Sequence, residues 1–374
     1  MFDEKFSYRY CPILSISPSE MTAIKELPEK DKDLILPVFP LKSWVGSNEL
    51  VKSIDRIERS IGKDRKWIAN IDFVNLASRP SKSYRQVHHD LEKLTQPQDG
   101  YHNWYEFIKS QSNVIPCLQT TVLSEFEPQL RKLKFLNRGV VLILNIFDLE
   151  DRRYEQLLPK LEGTDDLLVI IDLGQITRDQ LDMKEGIRSY LNAIKALLPK
   201  ALVSISSTSF PESFGGYYKG VNTIYERALF DKLKIDLPEL IYSDRGSARA
   251  SISSGGGGTP PPRIDYPCAN EWNFIRMEFG KSDSLVVSEK KEALKEEKRE
   301  LYTTISKAMM LEPYWESDLK LWATYIIELT SKGDDFGINS AQKATAVRIN
   351  KHLYTQLHYG SENEIGDTDE DWVD

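Results

Sequence analysis

Eight short, nearly uninterrupted apolar runs punctuate the first two-thirds of the chain: CPILSI, LILPVF, WIANID, VIPCLQ, GVVLILN, DLLVIID, ALVSIS and ELIYS. A strand with one face in water alternates apolar with polar residues, so runs without that alternation belong to strands covered on both faces, as in parallel sheets. Between them lie stretches such as SEMTAIKELPEK, NELVKSIDRIERSIG, TVLSEFEPQLRKLKFL, TRDQLDMKEGIRSYLNAIKALL and GVNTIYERALFDKL, with apolar residues at helical spacings of three and four. An open doubly wound sheet would leave two bare edges, whereas closure removes both. The pattern therefore predicts an eight-stranded β/α (TIM-like) barrel, which fits comfortably in a chain of 374 residues.

The barrel is expected to occupy residues 1–254, because SISSGGGGTPPPR interrupts the pattern with four glycines that loosen the backbone and three prolines that stiffen it. Residues 255–263 then read as a linker or surface loop, with an active-site lid as the alternative. Residues 264–360 read as a mainly helical appendage packed on the barrel through Trp272 and Trp322, opening with the strand EWNFIRMEFG and the charged helix EKKEALKEEKRELYTTISKAMM. Residues 361–374 hold seven Asp or Glu and no Lys or Arg, the composition of a mobile acidic tail.

That tail carries nearly all of the formal charge of −8, so the body is almost neutral and lacks the basic footprint of general nucleic-acid binding. No apolar run approaches the roughly 18 residues of a membrane span, and the start MFDEKFSYRY has no signal-peptide pattern, so a cytoplasmic protein is expected. Cys11 and Cys117 fall inside apolar runs, where thiols act as small hydrophobes, and with Cys268 they suggest neither disulfide nor zinc site. The five histidines, including His88 and His89, lack ligand spacing.

The chain has no Walker loop, GxGxxG, HExxH or GxSxG, which directs attention to the C-terminal ends of the strands, where barrels carry their chemistry. The residues ending the runs are Ser15 and Ser17, Pro40 and Lys42, Asp72 and Asn75, Gln119 and Thr120, Asn145 and Asp148, Asp172, Ser207 and Ser209, and Ser243 and Asp244. Asp72, Asp172 and Asp244 are the candidate catalytic residues and ligands of a divalent cation, with Gln119, Asn145, Ser243 and Arg245 as candidate ligand-binding residues around them. A strand-end Asp also caps the turn that follows it, and that structural role competes for each of the three. Arg245 follows the eighth run, where barrels often hold phosphate, and a surface ion pair is its competing role.

The segments YCPILSISPSEMTAIKEL, LILPVFPL, ELIYSDRGS, EWNFIR and KGDDFGINS followed by RINKHLYTQL together resemble the phage "beta protein" family over nearly the whole chain. The matching residues are Tyr10, Pro12, Leu14, Asp172, Ser243, Asp244, Gly246, Trp272, Arg276, Gly333, Asp334, Asn350 and His352. The resemblance implies a barrel protein of bacteria, prophages and phage satellites, whose satellite member is associated with a toxin-like partner and phage exclusion. It also implies a Lys after the first strand and an acid after the second; Ser15 and Pro40 stand there instead, which implies an inactive member if those residues are catalytic.

Two functions follow as expectations. One is a component of an anti-phage defence or exclusion system acting through a protein partner encoded nearby. The other is a metal-dependent hydrolase of phosphate esters built on Asp72, Asp172 and Asp244. A third, nucleic-acid binding through Lys343, Arg348, Lys351 and His352, is opposed by the acidic tail.

Overall fold

The structure, a computed structural model, describes residues 8–78, 83–212, 217–250, 260–280 and 287–360, with side chains in the last segment from residue 292 onward. In chain order its strands are β1 Val38–Leu41, β2 Trp67–Ile71, β3 Val114–Pro116, β4 Val140–Asn145 and β5 Leu167–Gln175. They continue with β6 Leu202–Thr208, β7 Lys219–Thr223, β8 Ile241–Asp244, β9 Arg263–Pro267 and β10 Glu271–Arg276. The chain divides into two compact units: the described parts of Met1–Ser17, Asp33–Ser209 and Tyr225–Ile252 form one, and those of Pro18–Lys32, Phe210–Ile224 and Ser253–Asp374 form the other.

The first unit contains two parallel sheets, of strand order β1-β2-β3 and β4-β5-β6-β8. The eight-stranded barrel expected from the sequence is thereby corrected: among the described residues regular pairing stops at three and four strands. CPILSI forms no ladder. It makes isolated parallel bridges, Tyr10 with Ile35 and with Tyr242, and Ile13 with Val38. Pro12 and Pro37 occupy the same register between the Tyr10–Ile35 and Ile13–Val38 bridges, and a residue without an N–H interrupts a ladder. Pro116 ends β3 in the same way, leaving only the Cys117–Val141 bridge toward β4. CPILSI still lies beside ELIYS, since the Cys11 and Ile13 N–H groups donate to the Tyr242 and Asp244 carbonyls at 2.9 and 2.8 Å.

One apolar cluster lies at the centre of this unit, drawing Cys11, Ile13, Val38, Ile68, Ile115, Cys117, Val141, Leu168, Ile170 and Ile241 from alternate positions of neighbouring strands. Each large aliphatic side chain so buried contributes about 1.5–3 kcal/mol. Helices cover the strands by their apolar stripes. Val51–Ile61 buries Ile54, Ile57 and Ile61, and ends at Gly62, whose φ of +96° suits glycine and whose N–H donates to the Glu58 carbonyl at 2.9 Å.

The second unit has an antiparallel sheet of order β7-β10-β9 and the helices Pro18–Lys25, Val287–Met309, Trp322–Ser331 and Ala341–Leu357. Phe210, Ile224, Trp272 and Phe274 form its apolar cluster. Gly220 is required opposite Phe274, because a Cβ there would meet the ring at 2.8 Å. Ser340 caps the last helix by accepting the Lys343 N–H at 3.3 Å. Residues 251–259, with most of the Gly/Pro-rich linker, and the acidic tail 361–374 lie outside the described residues. No helix among the described residues is long and apolar enough to cross a membrane.

Candidate functional site

Side chains alternate between the two faces of a strand, and residues paired in register on parallel neighbours share a face. Ile143, Ile170, Leu202 and Ile241 face the central cluster of the first unit. Continuing those strands at the same parity gives Asn145, Asp172, Ser206 and Ser243, which pair in register across β4, β5, β6 and β8. A polar row therefore crowns the apolar core at the C-terminal edge of the four-stranded sheet. Ser243 donates to the Cys11 carbonyl at 2.6 Å. Arg245 leaves β8, passes over β6 and meets Asp172 of β5, with Nη2 at 2.5 Å from Oδ2. The other Asp172 oxygen accepts the Gly174 N–H at 3.1 Å. Next along, Lys42 donates from Nζ to Ser15.

Asp244, one residue beyond Ser243, has the opposite parity and enters a different environment. It is fully buried and accepts from the Tyr10 hydroxyl, from the Tyr242 hydroxyl at 3.0 Å and from the Gly246 N–H at 2.8 Å. The Tyr10 and Tyr242 rings stack at 5.4 Å, and the Arg227 guanidinium sits 3.4 Å from the Tyr242 ring centre. Burial first, and then the Asp244 charge, hold both tyrosine hydroxyls well above their ordinary range. Beside them lies Glu226, 2% exposed, accepting from the Ser209 N–H at 2.9 Å and from the Ser209 hydroxyl through Oε2, with Oε1 unbonded. Burial pushes its carboxyl up to about 8, against the opposing pull of Ser209 and with reinforcement from Asp244.

The remaining sequence candidates are spread along other strand ends. Asp72 follows β2 and accepts the Asn75 N–H at 2.9 Å, a capping contact. Asn145 caps the short helix Ile146–Glu150 by accepting from the N–H groups of Phe147 and Asp148, and Asp148 returns the contact. Gln119 is locked to Gln129 by reciprocal bonds of 2.9 Å and donates to the Leu94 carbonyl at 2.8 Å. The structure thus brings Asp172 together with Arg245, in one row with Asn145 and Ser243, and gives Asp72 and Asp244 separate surroundings. Among the described residues no group of three or more His, Cys, Asp or Glu side chains is arranged to hold a metal ion. A cavity of about 390 Å³ in the same unit is lined by Leu50, Val51, Ile54, Leu94 and Phe107 among others, and none of the three candidate aspartates lines it.

Tyr10 and His358 each make a long-range contact: the first donates to Asp244, and the second bonds Asp31 at 3.0 Å. A sequence profile described as Beta protein matches residues 10–358, from the one to the other. The chain belongs to the Beta protein family. It is 25% identical over 377 aligned positions to Protein beta of Enterobacteria phage P4, with 98% of each chain covered. Several positions that carry the resemblance are architectural in this chain. Asn350, fully buried, accepts the Ala323 N–H at 3.1 Å and donates to the Ala23 carbonyl at 2.9 Å, so one amide ties three helices. Trp272 stacks on His352 with ring centres 6.1 Å apart. Gly333 takes φ of +71° at the end of its helix, and Asp334 accepts the Phe336 N–H at 2.8 Å.

Of the four residues expected to form a basic face for nucleic acid, Lys343 is half-buried with its ammonium on the Phe336 carbonyl. Arg348, Lys351 and His352 are all buried. Arg348 pairs with Asp265 at 2.9 Å and covers the Phe210 ring at 4.1 Å, while Lys351 pairs with Glu316 at 2.6 Å.

Proposed function

We propose that this protein acts by binding a protein partner, as the component of a phage-exclusion or anti-phage defence system that restrains or senses that partner. The observation that carries the reading over metal-dependent hydrolysis is that the strand-end carboxylates are already engaged inside the chain. Asp172 has the Arg245 guanidinium and a backbone N–H, Asp244 has three donors, and Asp72 caps a turn. A divalent cation needs several unshared oxygens converging on one point, and these carboxylates spend theirs on internal donors. Kinship with a phage protein over nearly the full length supports the setting. Further support comes from Tyr217, Tyr218 and Val221, which are exposed on or beside the edge strand β7. Exposed aromatics at a sheet edge suit a protein interface.

Co-expression with the tagged product of the neighbouring gene tests this. A stoichiometric complex is expected that suppresses growth inhibition by that product. Val221→Lys should reduce capture, and Asp172→Ala should leave it intact. Failure to form a complex, or dependence on Asp172 rather than Val221, would overturn the reading.

A further inference from the structure

The polar edge of the first unit holds more hydrogen-bonding capacity than the chain uses. Ser206 and Ser247 are both 0% exposed, and neither hydroxyl has a partner. Arg245 Nε is also buried and unbonded. A buried polar group left without a partner is costly, so three on one edge point to bonding completed from outside the chain. The topology places them together. β6 runs between β8 and β5, so the Arg245–Asp172 pair arches over Ser206. Ser247 lies in the turn after β8, where it and Gly246 both have φ of +58°. Thr208 Oγ1 donates to the Ala248 carbonyl at 2.8 Å and holds that turn over the end of β6. On the other flank the Ile13 N–H bonds the Asp244 carbonyl, which brings Ser15, and Lys42 on its hydroxyl, next to Arg245.

We propose that this arc binds a small oxoanion of phosphate type, either free phosphate or the phosphate of a monoester, independently of the partner reading above. The charge on this face favours it: Lys42 and Arg245 stand against the carboxylate of Asp172, while that of Asp244 lies on the opposite face, closed off by Tyr10, Tyr242 and the Gly246 N–H. The direction of the unused groups favours it too, since two hydroxyls and an Nε–H can all donate. A guanidinium presents Nε–H and Nη–H as a fork that grips two oxygens of one anion. Here the Nη2 end is on Asp172 and the Nε end is unused. An entering phosphate would accept from Nε and the serine hydroxyls, and compete with Asp172 for Nη2. Asp172 is then an internal competitor for the fork.

Calorimetric titration of the full chain with inorganic phosphate, against chloride at fixed ionic strength, tests the proposal. Saturable binding is expected. Arg245→Met and Lys42→Met should each weaken it by about tenfold, and Asp172→Asn should tighten it by about tenfold because the competitor is lost. Damage to the fold would weaken binding in all three variants, so the opposite sign of Asp172→Asn separates a site from a structural effect. Ser206→Ala should weaken binding several-fold. A parallel titration with phenyl phosphate identifies the source: preference for it assigns a monoester, and preference for inorganic phosphate assigns the free ion. No saturable heat with either probe, or an Asp172→Asn variant that binds no tighter than wild type, would overturn the proposal and leave a buried water as the group completing these bonds.

Discussion

Replacing Glu226 by Gln removes an ionisable group from a core position while nearly preserving its shape, and the structure sets the scale of the effect. Burial raises the native carboxyl from 4.5 to about 8. The native state therefore holds the proton more tightly than the unfolded chain does. The stability that follows is fully present below pH 4.5 and is lost as pH rises toward 8. Each pH unit inside that window removes about 1.4 kcal/mol, so the ceiling across it is ~5 kcal/mol. Domains have only about 5–15 kcal/mol in total, so even half of that ceiling is measurable. Urea unfolding of wild type and Glu226→Gln at pH 5, 7 and 9 reads the difference directly. The wild type should lose several kcal/mol relative to the variant between pH 5 and pH 9, and the variant should be the more stable protein at pH 9. Parallel profiles would refute the reasoning, because they would mean that Glu226 titrates alike in both states.

Two further substitutions test packing in each unit by the same denaturation assay. Ile170→Ala removes a fully buried side chain from the central cluster of the first unit and should cost about 2–5 kcal/mol, with a smaller loss indicating that the core collapses around the gap. Arg348→Met leaves Asp265 with only Arg263, at 2.8 Å, and should destabilise the second unit by about 3–5 kcal/mol; a neutral result would mean that Arg263 alone satisfies that carboxylate.

Seven of the eight apolar runs contribute ladder strands, LILPVF and VIPCLQ among them although Pro37, Pro40 and Pro116 leave those two strands only four and three paired residues. CPILSI is as apolar, but it makes isolated bridges rather than a ladder, with Pro12 and Pro37 in the same register between two of them. The helix read in GVNTIYERALFDKL is shorter than expected: its first residues belong to β7, and the helix begins at Tyr225, because KGVNT has little apolar character and its residues alternate between exposed and half-buried. The site turned on parity. Ser243 and Asp244 are adjacent in a strand and cannot share a face, so the grouping of Asp244 with Asp172 conflicted with the pattern used to find the strands. Ser206, rather than Ser207 or Ser209, is the member of β6 in register with Asp172. Glu226 had a legible signal, since it lies in helical phase with the buried Leu229, Phe230 and Leu233. What it meets there depends on Ser209 and Asp244, which reach it only through the tertiary fold.

The second unit is assembled from three separated stretches of chain, and this sets a timetable for its synthesis. Asn350 bonds Ala23, and the two are 327 residues apart. At roughly 5–20 residues per second on a ribosome, the helix Pro18–Lys25 waits on the order of 15–65 s for the helix against which it rests. Throughout that interval Met21, Ala23 and Ile24, all buried in the finished protein, lack the last helix as a packing partner. Completion of this unit therefore waits on its last stretch, and the buried face of an early helix stays unpaired with its native partner until then.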